Sequence, residues 1–384
     1  MTDTNHQADV LVIGAGIAGA SLAAELAGNA RVIVLEREAQ PGYHTTGRSA
    51  AIYSQVYGPP QIRALSRASA GFFDAPPAGF STHPLLRKRV VALVGRQDQA
   101  HTVAATFEEV RDRGDVGLIE GDAVQDRIPL LRHGYAAAAL LENSAADIDV
   151  HALHHGYLRR LKEAGGTLVT NAEVRALGRV GGDWQVETGS GTYRAPIIVN
   201  AAGAWADDIA RQSGIAPVGL VPKRRTALIV DGPERGVDDA WPMVVDIDEE
   251  FYLKPDAGRL LISPADETPS PPCDAQPEEL DIAICIDRIE RAFDLQVRHV
   301  ANRWAGLRSF VADKVPVVGF AADAPGFFWL AGQGGYGIQS APAMARLAAA
   351  LIAARGVPDD LAAQGVDAES LSPQRPAIQD KVVK

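Results

Sequence analysis

The chain has 384 residues, 47% hydrophobic and 22% charged, an ordinary globular balance and a length that suits two domains. Its formal charge of −11 argues against a nucleic-acid partner, and no segment offers the ~18 unbroken apolar residues of a membrane span. With cysteines only at 273 and 285, and a start without a cationic and then apolar leader, a cytoplasmic location in a reducing compartment is expected.

The first elements are the most specific. Asp9 to Ile13 reads as a buried strand, Gly14-Ala-Gly16-Ile-Ala-Gly19 as a glycine-rich turn into a helix beginning near Ile17, and Arg31 to Glu36 as a second strand ending in an acid. A βαβ unit of this kind holds a dinucleotide. Gly14 allows the tight turn, Gly16 the approach of backbone to a pyrophosphate, and Gly19 the packing of helix on strand. Phosphates then lie at the positive end of the helix. Glu36 is placed to accept hydrogen bonds from ribose hydroxyls and would repel a 2′-phosphate, which disfavours NADP.

Residues 61–75 follow as a helix, stopped by Pro76-Pro77-Ala-Gly79. Val90–Val94 reads as a strand, Ala100–Arg113 as a charged helix and Asp149–Ala164 as another helix. Strands are expected at Thr167–Thr170, Trp184–Thr188 and Ile197–Asn200, the last running through Ala201-Ala202-Gly203-Ala-Trp205 into a helix. Further strands fall at Thr226–Val230, Phe251–Leu253 and Leu260–Ile262, before a proline-rich loop at Thr268–Pro272. Near the end, Phe327 to Ala331 leads into Gly332-Gln-Gly334-Gly335-Tyr336-Gly337 and an Ala-rich packed helix over Ala341–Ala354. Three strand–glycine–helix corners therefore punctuate the chain, and no fixed repeat explains them. An NAD-binding unit is usually contiguous and has no use for a glycine corner so late. FAD is longer and needs a second backbone cradle for its ring system, so FAD is favoured. The expected fold is α/β: an interleaved Rossmann-like FAD-binding domain (1–86, 147–220 and 308–384) and an α+β substrate domain with a mixed or antiparallel sheet (87–146 and 221–307).

Taken together, Gly14 to Gly19, Glu36-Arg37, Gly47-Arg48-Ser49, Asn200 to Trp205, Trp304-Ala-Gly-Leu-Arg308 and Gly334 to Gln339 resemble the D-amino-acid oxidase superfamily. The likeness runs from about Asp9 to Ser372 and is greatest to the bacterial D-arginine dehydrogenases, helped by the runs Arg37 to His44 and Phe251 to Ala257. The resemblance implies noncovalent FAD, with substrate between the flavin and a mixed sheet. Position by position it implies that Arg308 forks the substrate carboxylate, that Tyr252 adds a hydrogen bond and that Arg225 adds charge. Tyr57 matches a tyrosine on a mobile covering loop, and Gly335 and its neighbours offer a carbonyl to the substrate amine. Gly47, Arg48, Ser49, Val174, Ala202, Gly203, Gly332, Gly334, Tyr336, Gly337, Ile338 and Gln339 are expected around the cofactor, with Gly14, Gly16, Gly19, Glu36 and Arg37. Alone, Arg308 would read as a structural arginine, Tyr252 as a strand aromatic and Arg224-Arg225 as a solvated pair.

Two departures bear on the substrate. Where D-arginine dehydrogenases carry a guanidinium-binding glutamate after His-Pro-Leu-Leu, this chain continues from His83-Pro-Leu-Leu86 into Arg87-Lys88-Arg89. Ile52 stands in place of an active-site histidine. A cationic side chain would then lack its partner, and burying it so costs several kcal/mol. An apolar D-amino acid suits Ile52 and Val91, and Arg87 to Arg89 read as a solvated loop unless they turn inward. The implied reaction is hydride transfer from Cα to the flavin, giving an imino acid that hydrolyses to a 2-oxo acid and ammonia. It needs positioning rather than a strong base. His44 is expected to be structural, and His151, His154, His155 and Asp147 to mark a solvated helix face rather than a metal site. A secondary-amine oxidase, a 2-hydroxyacid dehydrogenase and a flavin-binding subunit without turnover stay open as alternatives. The electron acceptor, O₂ or a quinone or another, is left open.

Overall fold

The computed structural model describes residues 5–382. The strand Val10–Ile13 lies in the middle of a six-stranded sheet, with Val32–Leu35 on one side and Ile197–Asn200 on the other, all parallel. Thr167–Val169 and Phe327–Ala331 extend it in parallel, and Val317–Phe320 closes one edge antiparallel. A strand covered on both faces reads as an unbroken apolar run, as Val10 to Ile13 does. Val10 and Val12 pack with Leu22, Tyr157 and Met344 from the helices Ile17–Leu26, Val150–Glu163 and Gly337–Ile352. Leu11 and Ile13 face the opposite core, with Trp184, Phe327 and Trp329. A four-stranded sheet of Asn5–Gln7, Thr192–Ala195, Asp183–Thr188 and Val174–Val180 contributes to that second core.

Parallel neighbours cannot be joined by tight turns, so the chain leaves this sheet between its strands. The excursions 91–142 and 221–310 build the second large sheet, of nine strands. Its order begins Thr268–Pro269, Val221–Val230, Arg259–Ser263, Tyr252–Asp256 and Met243–Asp246. Val91–Gly95, Ala138–Glu142 and Val116–Glu120 complete that path, and Val300–Phe310 pairs with the other edge of Val221–Val230. Every pairing is antiparallel except Met243–Asp246 with Val91–Gly95. One face is covered by the helix Glu279–Ala292, whose Ile282, Cys285 and Ile289 meet Leu228, Leu260 and Ile262. The other face looks back toward the glycine corners. A small antiparallel sheet of Ile52–Tyr53, Ala146–Ile148 and Leu86–Lys88 bridges the two bodies. Among the described residues no helix is long and apolar enough to cross a membrane.

Several sequence expectations change here. The helix expected over Ala100–Arg113 ends at Val110, and the strand expected from Thr226 begins at Val221. Arg224 and Arg225 are not a solvated pair: both are buried, and strand alternation sends them to opposite faces. Arg224 turns to the helix side and pairs with Asp281 and Glu278. Arg87 to Arg89 are not a simple solvated loop either. Residues 86–88 form a strand, and buried Arg89 donates to Asp147 Oδ2 at 2.5 Å, a carboxylate that also holds Lys254 and Arg87. His154 leaves the solvated face expected for it; it is buried and its Nε2 lies 2.8 Å from the Ala15 carbonyl.

Candidate active site

Gly14 has φ +100°, a conformation costly for any other residue, and a Cβ there would lie 2.5 Å from the Ala201 carbonyl oxygen. The first glycine corner is thus pressed against the second. Just beyond the first turn, the Ile17 N–H donates to Thr46 Oγ1 at 2.9 Å. Glu36 reaches back from the end of its strand and accepts from the Ala15 N–H at 2.8 Å and the Glu38 N–H at 2.9 Å. Its carboxylate therefore braces the turn while still facing the cavity that the turn borders. Arg37 lies over the Trp205 ring at 4.2 Å, closing the same region from the side of the second corner.

That cavity, about 490 Å³, runs from the Gly14 turn to the free face of the nine-stranded sheet. On the sheet the register explains which side chains meet. Arg308 lies opposite Lys223 and Arg225 opposite Gly306, so the two arginines are diagonal neighbours on one face. Tyr252 reaches the same space from its own strand, and Tyr57 arrives from the loop before the helix Pro60–Asp74. The Arg308 guanidinium is so close to the late glycine corner that a Cβ on Gly335 would lie 2.9 Å from its Cζ. Gly335 therefore makes room for the arginine.

The electrostatics favour an anion beside these arginines. Arg225 is buried, and neither its Nε nor its Nη2 has a hydrogen bond in the described structure. Burial and the neighbouring Arg308 charge pull its pKa below the usual guanidinium value. The nearest carboxylates stand at 3.6 Å (Glu267) and 3.9 Å (Glu249), long for ion pairs. Burial likewise raises the Tyr57 hydroxyl pKa, keeping it a neutral donor.

Of the residues singled out from the sequence, the structure brings together all but three around this cavity. Gly19, Gly47 and Tyr336 stand back from it. A Cβ on Gly19 would lie 1.9 Å from the Gly14 carbonyl oxygen and one on Gly47 2.7 Å from that of Gly42. Tyr336 packs edge-on against Tyr57 at 5.1 Å and near Phe310. The Arg48 side chain reaches across to the other sheet, where it donates to the Ala275 and Ala305 carbonyls and pairs with Asp274. Thr46, Gln333, Ser309, Glu249 and Glu142 also line the cavity and were missed. Thr46 and Ser309 adjoin residues already chosen. Glu142 had its own signal, a lone acid closing the apolar run Ala138 to Leu141.

The cavity suits FAD on two counts. Both ends are cradled by glycine corners, and buried polar atoms at the late corner, Gln333 Nε2, Gln339 Nε2 and Ser309 Oγ, have no partner in the described structure. Such atoms call for a polar ligand. Cys285 lies on the helix Glu279–Ala292, which covers the far side of the nine-stranded sheet, and Cys273 borders a small side pocket with His44, Arg48 and Trp205.

Comparison with known proteins agrees with this. Human dimethylglycine dehydrogenase is 25% identical over 283 residues, which covers 68% of this chain and 31% of that protein, so the chain spans under a third of that relative. Glycine oxidase of Pseudomonas putida is 22% identical over 365 residues, covering 88% of this chain and 92% of its own. The crystal structure of glycine oxidase from Geobacillus kaustophilus superposes with a TM-score of 0.78 at 21% identity, covering 92% of this chain and 99% of that one. These relatives include no D-arginine dehydrogenase, and the narrower likeness to those enzymes stays a reading of the motifs. The DAO family model, FAD dependent oxidoreductase, matches residues 9–351, and the chain belongs to that family of FAD-dependent enzymes.

Proposed function

We propose that this FAD enzyme oxidises the Cα–N bond of a D-amino acid with an apolar side chain, releasing a 2-oxo acid and ammonia after hydrolysis. The observation that carries the reading is the pair of adjacent arginines, Arg225 and Arg308, short of hydrogen-bonded acid partners beside two tyrosines. That set is suited to one carboxylate held against a flavin-sized cavity. FAD, when bound, supplies the two-electron acceptor. The protein's share is orientation: Arg308 forks the carboxylate, Tyr252 and Arg225 steady it, and a carbonyl of the Gly335 corner receives the amine. Tyr57 and the tyrosine behind it, Tyr336, keep water from this end. Ile52, Val91, Met243 and Val245 line the remaining wall, and they favour an apolar side chain. The domain boundaries read from the sequence suit the same picture, with the cofactor between the six-stranded and nine-stranded sheets.

The test is anaerobic flavin reduction with a panel of D- and L-amino acids, secondary amines and 2-hydroxy acids. Bleaching by apolar D-amino acids is expected. Bleaching by secondary amines or hydroxy acids alone would assign the site to another donor class, and no bleaching by any of them would mark a flavin-binding protein without this activity.

A further inference from the structure

The loop that carries Tyr57 is held from two directions. Glu142 Oε2 accepts from Ser54 Oγ at 2.6 Å, and its Oε1 accepts from the Gln55 N–H at 2.8 Å. Ser54 Oγ in turn accepts from the Val56 N–H at 3.3 Å and the Tyr57 N–H at 3.1 Å. From the other direction, Ser54 N–H donates to Gln339 Oε1 at 3.1 Å, on the helix that opens at Gly337. One hydroxyl group thus ties the nine-stranded sheet to the covering loop, and the residue that bears it ties the loop to the cofactor helix.

Glu142 is 1% exposed and has no ion-pair partner among the described residues. A buried carboxylate without a cation is costly, and an apolar residue would end the run Ala138 to Leu141 more cheaply. Burial raises its pKa, and the donors from the loop act against that rise. Among the described residues, the side-chain hydrogen bonds of this carboxyl all go to the loop. We propose that Glu142 is a positioning residue that, through Ser54, holds the Tyr57 loop over the Arg308 side of the cavity and so sets the affinity for the substrate carboxylate. The last clause rests on the carboxylate-binding reading above; the strap itself does not.

The experiment uses the FAD-loaded protein as wild type, Glu142→Ala, Glu142→Gln and Ser54→Ala. Amide hydrogen exchange is followed at residues 55–57, and pyruvate is titrated against the flavin absorbance. In Glu142→Ala, exchange at Gln55 and Tyr57 should quicken and pyruvate binding weaken by about tenfold or more each, because the Ser54 and Gln55 hydrogen bonds to the carboxyl are both lost. FAD content should stay that of the wild type. Glu142→Gln keeps an acceptor for the Gln55 N–H but turns an amide NH2 toward the Ser54 hydroxyl that needs an acceptor, so it should hold exchange at Gln55 near wild type and lose part of the protection at Tyr57. Ser54→Ala should reproduce the loss at Tyr57, and it carries the comparison if Glu142→Ala does not fold. Unchanged exchange overturns the strap. Faster exchange with unaltered pyruvate affinity overturns its role in binding. Weaker binding in Glu142→Ala but wild-type binding in Ser54→Ala would mean that Glu142 meets the ligand directly, and also overturns it. If wild type does not bind pyruvate, the carboxylate reading fails and the exchange rates alone decide the strap.

Discussion

At the scale of single residues, Arg308 and Gly335 act as a unit. The guanidinium lies where a Gly335 side chain would be, so the position of the arginine depends on the absence of a Cβ. Arg308→Met should raise KM about a hundredfold, near the ~3 kcal/mol commonly lost with one partner of a buried charge pair, with FAD still bound. Loss of FAD in that variant would make Arg308 structural. Gly335→Ala should show the same KM defect in milder form, since the added Cβ must displace the guanidinium from its place while leaving its charge in the cavity. Arg308 was legible because it closes the run Trp304-Ala-Gly-Leu-Arg308 that carries the resemblance, and Arg225 only as a single position that the resemblance implies. Glu249 was not: it lies in the turn between Met243–Asp246 and Tyr252–Asp256 with φ +58°, and a polar turn gives no sign of facing a cavity. His154 was misread because His151, His154 and His155 fall at helical spacing and suggest one polar face; in the structure the His151 and His155 rings lie tilted together at 4.1 Å while His154 turns inward. Burial, and then the charges of those neighbours, hold the His154 pKa below its usual value of about 6.5. The folded protein therefore favours the neutral ring. Its contribution to stability is complete above about pH 6.5 and is lost as the pH falls below it. Thermal melts between pH 7.5 and 5 should show this fall, and His154→Gln, which keeps an amide donor for the Ala15 carbonyl without titrating, should flatten it.

At the scale of elements, the helix Ile17–Leu26 depends on Gly19. A Cβ there would lie 1.9 Å from the Gly14 carbonyl oxygen and 3.1 Å from the Val12 side chain, both fixed parts of the strand and turn. Gly19→Ala must push the helix away from the sheet, at the 1–3 kcal/mol usual for overpacking. The expected result is a lower melting temperature together with reduced FAD content, because the same displacement spoils the turn. A variant with wild-type FAD content and stability would mean the helix can slide freely. The three glycine corners were plain in the sequence because glycines directly after an apolar run break the strand and turn the chain. The strand Val300–Phe310, which carries Arg308, was not identified as a strand. It includes Asn302, Arg303, Gly306 and Arg308, and its stability comes from the ladder it forms with Val221–Val230. The helix Glu279–Ala292 was also missed, although Ile282, Cys285 and Ile289 recur at helical spacing. Its cue was masked by the proline-rich stretch just before it.

At the scale of the whole molecule, the cavity is walled by residues from both large sheets, so a bound FAD spans the joint between them. Besides the small bridging sheet, long-range ties cross this joint, such as Arg48 to the Ala275 and Ala305 carbonyls and Trp304 Nε1–H to the Arg48 carbonyl at 2.9 Å. A ligand that binds only the folded chain stabilises it by mass action, about 2.7 kcal/mol at a hundredfold excess over its dissociation constant. Spread over the unfolding entropy of a chain this long, that is a rise of roughly 3 °C in Tm. Stripped protein titrated with free FAD should therefore melt progressively higher, both sheets together. Such a dependence on added FAD holds only for a flavin that is free to leave. Neither cysteine borders the cavity, so acid precipitation should leave the yellow colour in the supernatant. Flavin retained in the pellet would show a covalent link through another residue. The melting temperature would then be independent of added FAD, and the joint would owe its stability to that bond rather than to binding equilibrium.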